Sequence, residues 1–369
     1  TLDRSSAASD VYKRQVDDSV DRIGSATFIT KVDLVKGYWQ VPLTERAKEI
    51  ASFVANGAVY QCQVMPYGLR NAPATFQRLM DRVTDGLTHC VVYIDDVVIY
   101  DTTWAEHLTN VEALFARLQE AGLVVNLEKC EFVQARVQYL GYRVGHGYIT
   151  PPEAKVEAIR QFPAPTCRRA LQRFLGVVGY YRRFVPGYST LLAPLTDLLQ
   201  KGRKWAWSKD CESAFQQVKS ILCEMPVLQA PDFRKSFALA VDASQVGVGA
   251  VLLQPDDQGV NHPVCYFSKK FTPAQKNYSV IEQELLAILL ALQHFEIYIP
   301  AYGPQVVIYS DHSPLQFLEK FKFKNQRLTR WSLLLQEYNI LVRHIKGADN
   351  VVADCLSRSH SPVSYTHLR

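Results

Sequence analysis

The chain has 369 residues, 48% hydrophobic and 21% charged, with a formal net charge of +5. This is the composition of an ordinary globular protein with apolar material for more than one core. Its mild basic excess permits an acidic partner such as nucleic acid without requiring one. Charges interrupt every apolar run short of the ~18 residues of a membrane span, and the eight cysteines contain no Cys-x-x-Cys pair, which argues against a zinc site and for free thiols.

Residues 1–15 (TLDRSSAASDVYKRQ) are polar and aperiodic, and residues 360–369 follow a chain that already reads as finished. Both ends are set aside as non-native or disordered, and the chain is expected to be a fragment. Residues 28–33 (FITKVD) alternate into Asp33 as a half-buried strand would. A helical pattern runs over 74–86 through Phe76, Leu79, Met80 and Val83. Residues 91–100 place two apolar runs around Asp95 and Asp96, which predicts a hairpin with the acids at its tip. An amphipathic helix is expected over 105–120 and a short strand over 123–127 (LVVNL). From about residue 146, prolines punctuate short arginine-rich helices, and a second proline group near Pro226 and Pro231 marks the next boundary. Strands follow at 237–242, 247–253 and 264–268, then a helix at 280–297 and a strand at 305–310. A helix at 326–337, a strand at 339–345 and a short helix at 350–357 complete an α/β pattern with a mixed sheet.

Two groups of acids stand out against this pattern. Adjacent carboxylates repel, so Asp95 and Asp96 beside a strand-end Asp33 are costly unless a cation neutralises them. Magnesium favours carboxylate oxygens together with waters and phosphates, and two ions ~3.5–4 Å apart can activate an attacking oxygen and stabilise a leaving one. An isolated Asp-Asp is more often a plain turn, but here both flanks are strongly apolar. The second group is Asp242, Glu284, Asp311 and Asp354. Asp242 and Asp311 end strands, where they can meet across a sheet edge. Ser279 and Glu282 have capping-box spacing, which accounts for Glu282. Glu284 instead lines up with Ile288, Ala291 and Phe295 on the apolar side of its helix, so it needs a partner or a metal. Asp354 near a helix start could serve the helix dipole alone.

The segments TKVDLVKGYWQVPL, MPYGLRNAPATFQRLMD, YIDDVVIY, LVVNLEKCEF and QYLGY resemble, in this order, the palm motifs of reverse transcriptases of the gypsy-type class of LTR retrotransposons. The resemblance implies that Asp33 and Asp95 hold metal ions, with Asp96 supporting the site. It also implies that Tyr38 is the steric gate against a ribose 2′-hydroxyl. Pro66, Tyr67 and Gly68 would form the loop under the incoming nucleotide, and Tyr139 to Tyr142 the segment at the primer end. Few residues precede Asp33 where the family carries a fingers subdomain, so this fragment alone is expected to polymerise poorly.

Residues 153–199 resemble the family's thumb and connection. There Arg168, Arg169, Arg173, Arg182 and Arg183 alternate with Phe174, Tyr180, Tyr181 and Phe184, a pattern suited to a phosphate backbone or to a plain amphipathic helix. VDASQVGVGAVLLQ, EQELLAILLAL, YSDHSPLQFL and NVVADCLSR are similar to the family's ribonuclease H, with Asp242, Glu284, Asp311 and Asp354 as its metal-holding acids. Cys355 stands where that family usually has alanine. His344 is expected to be structural. Lys320, Lys322, Lys324, Arg327 and Arg330, interleaved with Phe317, Phe321, Phe323 and Trp331, form a candidate hybrid-binding strip.

The expected organisation is therefore multidomain, α+β and α/β. A right-hand polymerase palm with an antiparallel sheet and truncated fingers (16–145) precedes a helical thumb/connection (146–235) and a ribonuclease H-like mixed sheet with helices (236–359). The implied function is two-metal phosphoryl transfer with Mg2+, or Mn2+, two ions per site. The implied partners are an RNA template, a DNA primer, an RNA–DNA hybrid and deoxynucleoside triphosphates, with no membrane. Protease and integrase neighbours and a cytoplasmic, particle-associated location are expected for the family. The alternative is a truncated or domesticated fragment that only cleaves hybrids or binds nucleic acid.

Overall fold

The computed structural model describes residues 16–224, 227–311 and 326–345. They form two compact units divided between Gly147 and Tyr148.

The first unit opens with a helix, α1 (16–24), and a strand, β1 (Phe28–Asp33). A short helix, α2 (Glu45–Ile50), leads into the hairpin β2 (Ser52–Ala55) and β3 (Ala58–Gln61). Helix α3 (Ala72–Val83), strands β4 (Cys90–Tyr93) and β5 (Asp96–Asp101), and helix α4 (Trp104–Glu120) follow. Strands β6 (Glu131–Gln134), β7 (Val137–Tyr139) and β8 (Tyr142–Gly145) end the unit. The central sheet is antiparallel in the order β4-β5-β1-β6. Helix α3 turns Phe76, Met80 and Val83 inward at helical spacing, and α4 adds Leu114 and Leu118. These meet Val32, Val97 and Ile99 of the sheet in one core. Thr103 caps α4 by accepting from the Glu106 N–H.

The expected strand over 123–127 does not form. A single bridge, Leu34 to Val125, is followed by a 3-10 turn over Leu127–Lys129. The apolar alternation is real, but hydrogen bonds to Gln40 and Asp33 divert this backbone from a regular ladder.

In the second unit, β9 (Tyr148–Thr150) pairs with β10 (Leu228–Gln229). Between them lie α5 (Glu153–Arg160), α6 (Arg168–Tyr180), α7 (Tyr188–Leu191), α8 (Ala193–Asp197) and α9 (Lys209–Cys223). The rest is a five-stranded mixed sheet built from β11 (Ala238–Ala243), β12 (Gly247–Pro255), β13 (Asn261–Lys270), β14 (Val306–Ser310) and β15 (Ile340–His344). Its order is β13-β12-β11-β14-β15, with β11, β14 and β15 parallel. Helices α10 (Pro273–Lys276), α11 (Val280–His294) and α12 (Gln326–Leu335) accompany it. Helix α11 is apolar almost all round and lies against β11, β12 and α12, burying Leu285, Ile288, Leu292 and Phe295. The helical segment packs onto strand β13. Lys270 Nζ bonds Asp197 Oδ1 at 3.0 Å, and Ser189 N–H donates to Ser268 Oγ at 2.8 Å.

No helix among the described residues is long and apolar enough to cross a membrane. The expected helix at 350–357, with Asp354 and Cys355, lies outside the described residues, as do Phe317, Lys320, Phe321, Lys322, Phe323 and Lys324.

Candidate active sites

The palm site is built on the meeting of β1 and β5. Antiparallel register sets Asp33, the last residue of β1, opposite Asp96, the first of β5. Asp95 occupies the turn between β4 and β5. That turn is strained, because Ile94 adopts a φ of 59°, a left-handed conformation that β-branched residues rarely take. Gln77 of α3 holds it: Gln77 Oε1 accepts the Ile94 N–H at 2.8 Å, and Nε2 donates to the Val92 carbonyl at 3.3 Å. Gly37 lets the tip approach, since a Cβ there would lie 3.2 Å from Asp95 Cβ and 3.2 Å from Phe76 Cζ.

The surrounding protein shields the Asp95 carboxyl from water, and the charges of Asp96 and Asp33 repel it. Its pKa is raised in consequence, with shielding the larger cause. Lys31 Nζ lies 3.3 Å from Asp96 Oδ1, and Lys129 Nζ lies 3.9 Å from Asp33 Oδ2. Lys31 thus occupies Asp96 at close range, while the shielded Asp95 carboxylate, repelled by its neighbours, is one that a divalent cation would stabilise.

Tyr38 sits beside this site in a ring cluster, 5.5 Å from Phe76 and 5.4 Å from Tyr67 between centroids. Tyr67 is exposed, Pro66 is half-buried, and Gly68 turns the loop at a φ of +93°, a conformation that favours glycine. Gln40 anchors the loop that carries Tyr38. Its amide bonds the Val35 and Val124 carbonyls at 2.7 and 3.0 Å and accepts from the Val124 N–H at 2.6 Å.

Some expected residues are placed differently. Tyr139 and Tyr142 flank the β7–β8 turn with both rings buried in the fold, the turn residues Leu140 and Gly141 are half-buried, and Gln138 and Arg143 are the exposed residues of this hairpin. Arg182 is exposed, but the neighbouring Arg183 is 4% exposed in the 3-10 turn 182–184. Its guanidinium is therefore part of the packing, and alternation along the sequence overstated the basic face. Arg327 is also engaged: it bonds Glu282 Oε1 at 3.0 Å and lies 4.1 Å over the Tyr278 ring. Arg330 is exposed.

The second site follows from sheet order. Strands β11 and β14 are parallel neighbours, so Asp242 near the end of β11 and Asp311 just after β14 reach the same sheet edge. Gly247, which opens the antiparallel return strand, lies where a Cβ would come 2.5 Å from the Lys269 carbonyl. Helix α11 starts at a full capping box between Ser279 and Glu282, which leaves Glu284 on the inward face. Asp242 is 1% and Glu284 4% exposed, and Asp311 is half-buried. Each offers a carboxylate oxygen, and these oxygens all lie within 4.8 Å of one another, a donor set that fits a hard divalent cation. Among the described residues this is the one group of three potential ligands so gathered. His344 ends β15 in register with Ser310 and is exposed.

One cluster has no counterpart in the sequence reading. Asp101, fully buried at the far end of β5, accepts from Asn110 Nδ2 at 2.7 Å and pairs with His89 and His107 at 2.8 Å each. His107 continues to Thr30 at 2.7 Å. The signal available in sequence was the spacing of His107 and Asn110 along one face of α4, three residues apart.

Residues 3–144 match the family model described as reverse transcriptase (RNA-dependent DNA polymerase). Residues 232–338 match the one described as RNase H-like domain found in reverse transcriptase. The first match begins inside residues 1–15, which composition alone sets aside. The chain is 39% identical over 346 residues to the retrovirus-related Pol polyprotein from transposon 297 of Drosophila melanogaster, covering 93% of this chain and 32% of that protein. It is 36% identical over 341 residues to the transposon Tf2-3 polyprotein of Schizosaccharomyces pombe, covering 91% of this chain and 26% of that protein. The chain thus spans about a third or less of these curated relatives. Among solved structures, the foamy viral protease-reverse transcriptase in complex with dsDNA aligns with a TM-score of 0.77 at 23% identity, covering 89% of this chain and 70% of that one. The same protein in complex with RNA/DNA hybrid aligns at 0.72 and 24% identity, covering 94% and 48%. At these identities the likeness establishes the fold.

Proposed function

We propose that this chain, which belongs with the retrovirus-related Pol polyproteins of transposons and carries their reverse transcriptase and RNase H-like domains, is the polymerase and ribonuclease H portion of a gypsy-type LTR retrotransposon. It copies RNA into DNA and hydrolyses the RNA strand of RNA–DNA hybrids. The observation that carries this reading is the convergence of Asp242, Glu284 and Asp311 on one edge of the second sheet.

In the second site Asp242, Glu284 and Asp311, with Asp354, would hold two Mg2+ ions, or Mn2+. In the palm Asp33 and Asp95 would do so, with Asp96 beside them. When bound, such ions activate the attacking oxygen and stabilise the leaving one. The chain's own residues set the geometry. Burial of Asp242 and Glu284 restricts their carboxylates to few orientations, and Gln77 and Gly37 fix the tip that presents Asp95. The Tyr38 ring, backed by Phe76 and Tyr67, supplies rigid bulk against a 2′-hydroxyl on the incoming nucleotide. Arg182 and Arg330, both exposed, would meet phosphates. The partners are an RNA template, a DNA primer, deoxynucleoside triphosphates and an RNA–DNA hybrid. Protease and integrase domains would be its neighbours in a cytoplasmic particle.

A second reading, cleavage of hybrids without polymerisation, draws on the fact that the palm acids do not gather into a three-ligand group among the described residues as the second set does.

The test is incubation of the full chain with a hybrid end-labelled on either strand, beside addition of one nucleotide to a primed RNA template, each with Mg2+ and with EDTA. The reading predicts Mg2+-dependent cutting of the RNA strand only, and weak but Mg2+-dependent addition. Cutting without addition would favour the second reading. Binding of the hybrid with no cutting would overturn both enzymatic readings.

A further inference from the structure

Both backbone hydrogen-bonding groups of Asp33 are taken up by a turn from a distant part of the chain. In an antiparallel strand the N–H and C=O of one residue point to the same neighbour. For Asp33 that neighbour is on the β6 side, where ladder pairing with β6 spans only Ile29 and Lys31 and is irregular between them. Beyond Lys31 the turn 126–130 takes over. The Asn126 N–H donates to the Asp33 carbonyl at 2.8 Å, and the Asp33 N–H donates to Cys130 Sγ at 3.5 Å. The Cys130 thiol in turn donates to the Asn126 carbonyl at 3.2 Å. The three bonds close a ring. The 3-10 helix Leu127–Lys129 spaces its two ends, and Lys129 reaches the Asp33 carboxylate from the same turn.

We propose that Cys130 is a positioning residue for Asp33: its thiol, as acceptor and donor at once, clips the peptide from which the Asp33 carboxylate projects. The proposal rests on the reading of Asp33 as a metal-holding acid. A strand end is where backbone pairing gives out and a side chain gains freedom, and a metal-holding carboxylate displaced there loses its partner. Sulfur suits the place because its longer bonds span the distance between strand end and turn. Serine keeps the donor and acceptor with shorter reach, and alanine removes both.

The test uses the full chain, unaltered and as Cys130→Ala and Cys130→Ser. Two readouts apply: hydrogen exchange at the Asp33 amide, and a titration with Mn2+ alone, followed through paramagnetic broadening of the Gly37 and Ile94 amides. Cys130→Ala is expected to speed Asp33 exchange about tenfold. It should also raise the Mn2+ midpoint at the palm by about tenfold, the scale on which partners of metal-holding groups act. Cys130→Ser, with its shorter reach, should recover only part of both, and broadening of amides near Asp242 should follow the same midpoint in all three proteins. Unchanged Asp33 exchange in Cys130→Ala would overturn the proposal. So would faster exchange with an unchanged Mn2+ midpoint, or an equal weakening at Asp242, which would report a general folding defect. Absence of palm broadening in the unaltered chain would instead overturn the metal-holding reading of Asp33, and the positioning role with it.

Discussion

Asp95 sums up the chemistry of the palm at the residue scale. Its folded pKa lies above the ordinary aspartate range through shielding and through repulsion by Asp96 and Asp33. A carboxyl raised in this way favours the fold while protonated. That contribution is complete below the ordinary value near pH 4 and is lost as pH rises through the folded value. In the absence of divalent ions, Asp95→Asn should therefore melt a few degrees above the unaltered chain at pH 7, on the scale of ~2–4 °C per kcal/mol. The gap should close as pH falls toward 4. A gap that stays constant from pH 7 to pH 4 would show that charge is not its cause. The acids were legible because a carboxylate among apolar residues has few ordinary reasons to be there. Cys130, Gln77 and Gln40 were not, because most of their partners are backbone groups, which leave no pattern of residue types. Arg183 was misread because a basic residue beside aromatics has the same spacing whether it faces solvent or the interior.

At the scale of elements, helices were read more surely than short strands. Helix α11 declared itself through Ser279, Glu282 and its apolar run, and its box is intact, with Arg327 added to Glu282. Ser279→Ala should cost about 1 kcal/mol of stability by denaturant titration, the usual value for a lost cap. The β2–β3 hairpin carried an Asn56-Gly57 turn signal that could have placed it. The 123–127 segment has strand alternation, yet its backbone serves Gln40 and Asp33 instead. The Asp101 cluster joins β5, α4 and β1 through charged and polar groups with no apolar pattern to betray them. Asp101→Ala strands the buried His107 ring nitrogen and the half-buried Asn110 amide and should destabilise the first unit by ~1–3 kcal/mol. A loss below ~1 kcal/mol in denaturant unfolding would mean that water or rearrangement satisfies them.

Across the whole molecule, two units with separate cores carry two sets of acids. The order of motifs made the palm and the mixed sheet readable. What sequence left open is the attachment of the helical segment to the edge strand β13 through Lys270, Asp197, Ser189 and Ser268. Such pairings join residues more than seventy positions apart and leave no local signature. A net charge of +5 with exposed arginines gives the proposed hybrid binding an electrostatic share. Hybrid affinity measured by fluorescence anisotropy should weaken severalfold or more between ~50 and ~200 mM salt, and salt-independent affinity would assign binding to other forces.

Two sets of acids doing separate chemistry predict separable losses, so the decisive measurement is RNA-strand cleavage of a labelled hybrid by Asp242→Asn, Glu284→Gln and Asp95→Asn compared with the unaltered chain. The first two should lose more than about a hundredfold in rate, since even partners of metal-holding groups are worth 10–100-fold, while Asp95→Asn should cut at the unaltered rate. Undiminished cutting by Asp242→Asn, or its loss in Asp95→Asn with the fold intact, would contradict the assignment of hydrolysis to the acids gathered on β11, α11 and the end of β14.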